Sequence, residues 1–148
     1  MSLILVDGID GSGKTRLADR LARVLREAGG QLTLLHVDDY RRTVNWSDPR
    51  GELELYWQEY FDLAALDADI GEHQSAGHLV LVEGIFTCRL AAAATGALIY
   101  LEVDFAAWYA RVRPRYVVMD KRPDVPAPMA RLQPQVHQMR SLTVLQFW

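Results

Sequence analysis

A glycine-rich loop that directly follows a short apolar run constrains the fold of this chain more than any other feature of its sequence. Residues 3–6 are apolar, and Asp7 separates them from the loop Gly8-Ile9-Asp10-Gly11-Ser12-Gly13-Lys14-Thr15. The loop satisfies the pattern G-x-x-x-x-G-K-[ST], whose backbone N–H groups surround phosphate groups. Glycine permits positive φ here and lets the backbone approach an anion closely. The stretch therefore predicts a strand, a phosphate-binding loop and a helix in direct succession.

The last two residues of the loop have predicted roles in binding ATP and Mg²⁺. The ammonium of Lys14 is expected between the β- and γ-phosphates, and the hydroxyl of Thr15 is expected on the metal ion. The helix that follows directs the positive end of its dipole at the same anion. The predicted nucleotide-binding residues of the loop are Gly8, Asp10, Gly11, Ser12, Gly13, Lys14 and Thr15.

Length and composition are those of one globular domain. The chain has 148 residues, of which 50% are hydrophobic and 24% charged, so residues 1–148 are predicted to share one core. A net charge of -3 gives no electrostatic reason to expect nucleic acid or an anionic membrane as the partner. Cys88 is the single cysteine, and neither a signal peptide nor a run of about twenty apolar residues is recognisable. These features favour a reducing cytoplasm.

Strand and helix patterns alternate along the chain. Apolar runs at residues 31–37, 78–83 and 97–103 predict three further strands, with helices between them. Asp48-Pro49 has the residue types of a helix start, and this helix is expected to run to about Ile70. The order predicts an α/β fold, a three-layer P-loop NTPase fold with a parallel sheet. Four strands are visible and a fifth is not recognisable, so we expect a sheet edge that a second copy covers in a homo-dimer.

Two predicted helices carry side chains whose role is open between packing and binding. The helix after the loop bears Arg16, Arg20, Arg23 and Arg26 opposite its apolar side, and this pattern predicts a solvated face. The helix expected from Asp48 carries aromatic residues on more than one face. These are expected to pack against the sheet, although one or two rings are suited to line a pocket for a planar substrate.

Carboxylates follow the ends of two predicted strands. Asp38 and Asp39 come directly after the second strand, and Glu83 ends the third. Because ligands bind at the carboxyl ends of parallel strands, these side chains are expected beside the phosphate loop. We predict Asp38 as the general base for an acceptor hydroxyl and Asp39 as the second candidate. Glu83 is predicted to hold Mg²⁺.

A basic segment follows the fourth predicted strand and contains Arg111 and Arg115. Because Pro114 and Pro123 limit its conformation, it is expected to close over the phosphates of ATP as a lid spanning about residues 111–123. The two arginines are expected to neutralise charge in the transition state. The segment 124–148 has only a weak helical pattern.

Four stretches of the sequence together resemble the group of P-loop kinases that contains uridine kinase and nicotinamide riboside kinase. They are the loop 8–15, Val37-Asp38-Asp39-Tyr40, Asn45-Trp46-Ser47-Asp48-Pro49 and Val82-Glu83-Gly84, within about residues 2–122. The resemblance implies that Asp38 activates a ribose 5′-hydroxyl and that Arg111 and Arg115 bind ATP. It also implies an acceptor site that contains Asp38, Asp39, Tyr40, Trp46 and Asp48.

We therefore expect an ATP- and Mg²⁺-dependent kinase that phosphorylates a hydroxyl of a small molecule, above all the 5′-hydroxyl of a nucleoside such as uridine. Departures from the family pattern leave open a protein that binds ATP or ADP without catalysis; for example, Tyr40-Arg41 stands where Phe-Tyr is usual. A nucleotide monophosphate kinase is a further alternative, whose phosphate acceptor needs no general base. No Asn-Lys-x-Asp sequence is present, which disfavours a GTPase.

Overall fold

Four parallel strands form the centre of the structure. A computed structural model describes residues 2–45, 47–104, 106–108, 110 and 111. Its strands are β1 (Leu3–Gly8), β2 (Leu32–His36), β3 (Leu79–Glu83) and β4 (Ala97–Leu101). They form one sheet in the order β2-β3-β1-β4, and every pairing is parallel. The predicted α/β fold with a four-stranded parallel sheet is confirmed.

Helices cover both faces of this sheet and make it a three-layer structure. They are α1 (Lys14–Glu27), α2 (Glu52–Gln58) and α3 (Leu63–Ser75). Side chains of β1 alternate between two apolar clusters, as a strand buried on both faces requires. Leu5 belongs to the cluster that contains Leu66 and Ile70 of α3, whereas Val6 belongs to the cluster that contains Ala18 of α1.

The second strand ends one residue earlier than its apolar pattern predicts. β2 stops at His36, and Val37–Tyr40 form a turn of 3₁₀ helix. Val37 is fully buried within this turn, whereas Asp38 and Asp39 are exposed. The two aspartates therefore lie on a turn at the carboxyl end of β2, beside the edge of the sheet that carries the glycine loop.

The prediction that Asp48-Pro49 starts a helix is wrong. Oδ1 of Asp48 accepts the backbone N–H of Arg50 at 2.9 Å, which closes a local turn. The helix begins only after Gly51, whose φ of 89° places it in the left-handed region. The aspartate therefore stabilises a turn that precedes the helix rather than its first turn.

The prediction that this helix continues to about Ile70 is also wrong. The N–H of Arg42 donates to the carbonyl of Tyr60, and the N–H of Asp62 donates to the carbonyl of Tyr40, both at 2.8 Å. These bonds use backbone groups that a continuous helix needs for its own ladder. α3 then starts after Asp62, whose Oδ1 accepts the N–H of Ala65 at 3.0 Å as an N-cap.

Short helical turns precede and follow β4. Before β4, Ala91–Thr95 form a 3₁₀ turn, and the N–H groups of its first two residues donate to Asp67 of α3 at 2.8 and 3.0 Å. After β4, Oδ1 of Asp104 accepts the N–H of Ala107 at 3.1 Å. Asp104 therefore caps the helical residues that follow β4.

The predicted lid and the segment 124–148 lie outside the described residues, apart from Arg111. The question of a fifth strand lies there too. β4 is the outer strand on its side of the sheet among the described strands, and its pairing with a second copy stays a prediction. Among the residues that the structure describes, no helix has both the length and the apolar character needed to cross a membrane.

Gly84 lets the end of β3 pack directly against the turn that carries Asp38. Its φ is 156°, and a Cβ at this position would lie 2.4 Å from both Cβ and Cγ2 of Val37. Carbon atoms do not approach so closely, so any other residue must displace one of the two backbones. The contact therefore sets how close the Asp38 turn lies to the end of β3.

We expect Gly84→Ala to lower the free energy of unfolding by about 2 kcal/mol, because overpacking a filled interior has a cost of this order. Gly71→Ala is the matched control, since nothing lies within 4 Å of a Cβ built at this position in α3. It should raise stability by about 0.5–1 kcal/mol, because alanine favours the helix over glycine. Urea unfolding measures both values. Equal stability of the two variants would contradict this account of Gly84.

Candidate functional site

The predicted phosphate loop connects β1 directly to α1. β1 ends at Gly8 and α1 begins at Lys14. Gly13 has a φ of 100°, and nothing lies within 4 Å of the place where its Cβ would stand. The Oγ of Ser12 is buried without a hydrogen-bond partner among the described residues. An unpartnered buried hydroxyl, together with the open space at Gly13, fits a bound anion at a helix start.

Lys14 lies within the loop rather than in open solvent. Its side chain is 8% exposed and its Nζ is 3.8 Å from Oδ1 of Asp10. The same ammonium donates to the carbonyl of Ile9 at 3.0 Å. These contacts hold the charge of Lys14 at the loop, where the sequence predicts that it meets phosphate oxygens.

Two residues after β4 form hydrogen bonds with backbone carbonyls of the loop. Trp108 is 2% exposed, and its indole N–H donates to the carbonyl of Asp10. Nη1 of Arg111 donates to the carbonyl of Gly11 at 2.9 Å. Arg111, predicted to bind ATP, therefore lies against the loop, whereas Arg115 lies outside the described residues. The sequence does not single out Trp108, because one tryptophan at helical spacing resembles any core residue.

The structure brings the two predicted Mg²⁺ residues together. Oγ1 of Thr15 donates to Oε1 of Glu83 at 3.3 Å. The same carboxylate oxygen lies 2.7 Å from Nδ1 of His36, and Glu83 is buried. A hydroxyl and a carboxylate are oxygen ligands of the kind that Mg²⁺ prefers. The sequence reveals nothing of the His36 contact, because its strand and that of Glu83 meet only in the folded sheet.

Asp38 lies close enough to this cluster to be influenced by its charges. Partial burial raises the pKa of the Asp38 carboxyl, Arg41 opposes the rise, and the carboxylates of Asp10 and Glu83 add to it. Oδ2 of Asp38 is 2.5 Å from Nη2 of Arg41. A carboxylate with a raised pKa beside the phosphate loop suits a general base.

Other predicted acceptor residues have their own partners. The hydroxyl of Tyr40 donates to Oδ2 of Asp69 at 2.5 Å, and burial together with this bond raises the pKa of Tyr40. Hydrogen bonds from Arg50 lower the pKa of Asp48 to about 2. Asp39 is exposed. Trp46 lies outside the described residues, so these contacts tie two of the predicted acceptor residues to α3 and to a local turn.

A buried carboxylate at the end of β1 holds the start of the loop. Asp7 is fully buried, and its Oδ1 accepts the N–H of Gly8 at 2.6 Å. Its Oδ2 accepts the hydroxyl of Thr87 at 2.8 Å and the N–H of Cys88 at 3.1 Å. Asp7 thereby joins the phosphate loop to the turn after β3. The sequence offers no signal for this role, since Asp7 reads as the last residue of an apolar strand.

Aromatic side chains of α2 pack against the turn after β3. The ring of Tyr56 lies 5.5 Å from that of Phe86, and the ring of Trp57 lies 4.7 Å from it, both edge to face. The hydroxyl of Tyr56 also donates to Oδ2 of Asp10 in the phosphate loop at 3.2 Å. The packing predicted for these aromatics therefore occurs, and one of them also contacts the loop.

A cavity of about 720 Å³ opens beside the loop. Its wall includes Lys14 and Thr15 of the loop and Arg111 after β4. This volume is within the range of small-molecule sites. Together with the unpartnered Ser12 hydroxyl and the Thr15–Glu83 pair, it fits a nucleotide with Mg²⁺.

Comparisons with known proteins support the fold. The chain is similar to the crystal structure of APE1195, with 17% identity, a TM-score of 0.55 and coverage of 97% of this chain and 93% of that one. It is also similar to the structure of a possible uridine kinase from Bacillus stearothermophilus, with 20% identity, a TM-score of 0.52 and coverage of 83% and 86%. No protein-family model and no curated protein matches the sequence. These likenesses show the fold alone, a three-layer α/β fold of the P-loop NTPase type.

We expect Asp7→Ala to lower the free energy of unfolding by about 3 kcal/mol, because it removes the acceptor of three hydrogen bonds, two of them fully buried. Thr87→Val is the matched control, since it removes one of these bonds and keeps the other two. It should cost about 1 kcal/mol. Urea unfolding measures both values. Similar losses in the two variants would mean that the bonds to Gly8 and Cys88 contribute little.

The buried carboxyl of Asp7 also predicts a pH dependence. Burial raises the pKa of Asp7 above its ordinary value of 3.8, although hydrogen bonds from Thr87, Cys88 and Gly8 oppose the shift. The folded protein then binds a proton in an interval where the unfolded chain has released it. This contribution to stability therefore falls as the pH rises from 3.8 through the folded pKa. Asp7→Asn, which does not titrate, should lack this fall when urea unfolding is measured from pH 4 upward; an unchanged profile would contradict the assignment.

Proposed function

We propose that the chain is a kinase that transfers the γ-phosphoryl group of ATP to a hydroxyl of a small molecule in a Mg²⁺-dependent reaction. The observation that carries the proposal is that three groups lie together at the carboxyl ends of the parallel strands. These are the phosphate loop, the Thr15–Glu83 pair at 3.3 Å, and Asp38, whose pKa is influenced by Glu83, Asp10 and Lys14. Phosphoryl transfer needs a cradle for the phosphates, a metal site and a base in such proximity.

Each of these groups has a part in the proposed reaction. Lys14 and the N–H groups of the loop bind the phosphates, and Thr15 and Glu83 hold the metal ion. Bound Mg²⁺ supplies positive charge at the β- and γ-phosphates. Asp38 orients the acceptor hydroxyl and takes its proton as the bond to phosphorus forms. Arg111, already within reach of the loop, adds positive charge beside the transferred group.

The acceptor that we propose is a nucleoside such as uridine. The sequence motifs around Asp38, Asp48 and Glu83 resemble those of uridine kinases, and one structural neighbour is described as a possible uridine kinase. Tyr56 links the turn after β3 to the loop, because its ring packs on Phe86 while its hydroxyl donates to Asp10.

One observation favours a second candidate, a nucleotide monophosphate kinase. The guanidinium carbon of Arg89 lies 4.5 Å from the centre of the Trp57 ring. Within the described residues Arg89 forms no ion pair, and burial lowers its pKa. A half-buried cation on the aromatic side of the site suits an acceptor that carries a phosphate. In that reaction the acceptor is itself an anion, and Asp38 is dispensable.

Asp38→Asn separates these functions. If Asp38 is the base, this variant should lower turnover with a nucleoside by about 10²–10⁴-fold while ATP affinity changes little. Asp39→Asn tests the second candidate for the base, the neighbouring exposed carboxylate of the same turn. It should keep most of the activity. The measurement is ATP consumption and product formation against a panel of nucleosides, nucleoside monophosphates, sugars and vitamins.

The outcomes of this assay are distinct. Phosphorylation of a nucleoside monophosphate that survives Asp38→Asn but fails in Arg89→Ala would favour the second candidate. ATP binding without a phosphorylated product from any acceptor would leave a nucleotide-binding protein without catalysis. Full turnover of a nucleoside by Asp38→Asn would remove Asp38 as the base.

A further inference from the structure

The arginines of α1 are all exposed, as the solvated face predicted from their spacing requires, but they do not all face the same surroundings. Arg16 and Arg20 belong to the wall of the cavity beside the phosphate loop. Arg23 and Arg26, farther along the same helix, are not part of that wall. The structure therefore divides four residues of one type into a pair at the cavity and a pair outside it.

The wall of this cavity is cationic and partly apolar. Besides Arg16 and Arg20 it contains Lys14 and Arg111, and Leu17 and Leu101 supply its apolar part. No carboxylate is among the described residues that line it. Neither Arg16 nor Arg20 forms an ion pair within the described part of the chain. Such a wall suits a ligand that joins an anionic group to a flat, polarisable ring, because guanidinium groups bind anions and also stack on aromatic faces.

The spacing along α1 indicates which part of a ligand each residue meets. Lys14 marks the phosphate end of the helix, and Arg20 lies six positions later, about 9 Å along the axis at a rise of about 1.5 Å per residue. Arg16 and Arg20 are four positions apart, so their side chains emerge from the same side of the helix. A ligand whose phosphates lie on the loop would therefore reach Arg20 with its nucleoside part.

We infer that Arg16 and Arg20 bind the base and ribose of the nucleotide whose phosphates lie on the Gly8–Thr15 loop, and so contribute to the choice of phosphoryl donor. This inference rests on the proposed function only to the extent that the loop binds a nucleotide. It does not depend on the acceptor or on Asp38. The cavity beyond the loop is then the nucleoside half of the donor site.

The test compares two charge-matched double variants with the full chain. Arg16→Ala with Arg20→Ala removes the pair at the cavity, and Arg23→Ala with Arg26→Ala removes the pair outside it. Both changes remove two positive charges from one helix and introduce a residue that favours the helix. Thermal unfolding establishes that both variants fold. Isothermal titration calorimetry in Mg²⁺ then measures the affinity for ATP and for inorganic tripolyphosphate.

The cavity variant should bind ATP about tenfold more weakly than the control variant, while the two should bind tripolyphosphate within about twofold of each other. Equal ATP affinity in the two variants would overturn the inference. An equal loss for ATP and tripolyphosphate would overturn it as well, because the arginines would then contact phosphates rather than the nucleoside.

Failure of the proposed function gives a different result when the assay with the acceptor panel is run beside this titration. An unaltered chain that binds ATP but phosphorylates no acceptor would refute the kinase, while the ratio of ATP to tripolyphosphate affinity still decides the role of Arg16 and Arg20. An unaltered chain that binds neither ligand would refute both.

Discussion

The buried carboxylate of Asp7 is the contact on which the arrangement of the site depends. A charge removed from water is costly unless donors surround it, and here three donors meet it. One of them begins the phosphate loop, and the other two belong to the turn after β3. Because neither segment can move without disturbing these hydrogen bonds, the loop and the turn after β3 keep a fixed position relative to each other. The contact of Gly84 with Val37 extends that fixed geometry to the turn that carries Asp38.

Features that depend on local pattern could be predicted from the sequence. The glycine loop predicts a strand, a loop and a helix together. Strand and helix patterns that alternate along the chain predict the parallel sheet, because strands and helices differ in the spacing of their apolar residues. The parallel order then places the ends of all strands at one edge. The contact of Thr15 with Glu83 follows from this topology, although 68 residues separate them.

Features that depend on contacts between distant segments could not be predicted. The residues expected to form one long helix are interrupted because backbone groups around Tyr60 pair with the segment after Tyr40, and no local signal reports such a pairing. Asp48 closes a turn instead of capping a helix, since the same residue type serves both. The roles of Trp108 and His36 arise from partners elsewhere in the chain. The division of the α1 arginines likewise depends on what packs beside the helix.

The attachment of Trp108 and Arg111 to the loop has a consequence for peptide geometry. A trans peptide unit is planar, so its carbonyl and the N–H of the next residue point in opposite directions. Trp108 holds the carbonyl of Asp10, which turns the N–H of Gly11 to the other side of the chain. Arg111 holds the carbonyl of Gly11, and the N–H of Ser12 accordingly turns inward to the carbonyl of Ile9 at 3.1 Å. Two side chains outside the loop thereby orient peptide groups within it, so residues after β4 contribute to the shape of the loop.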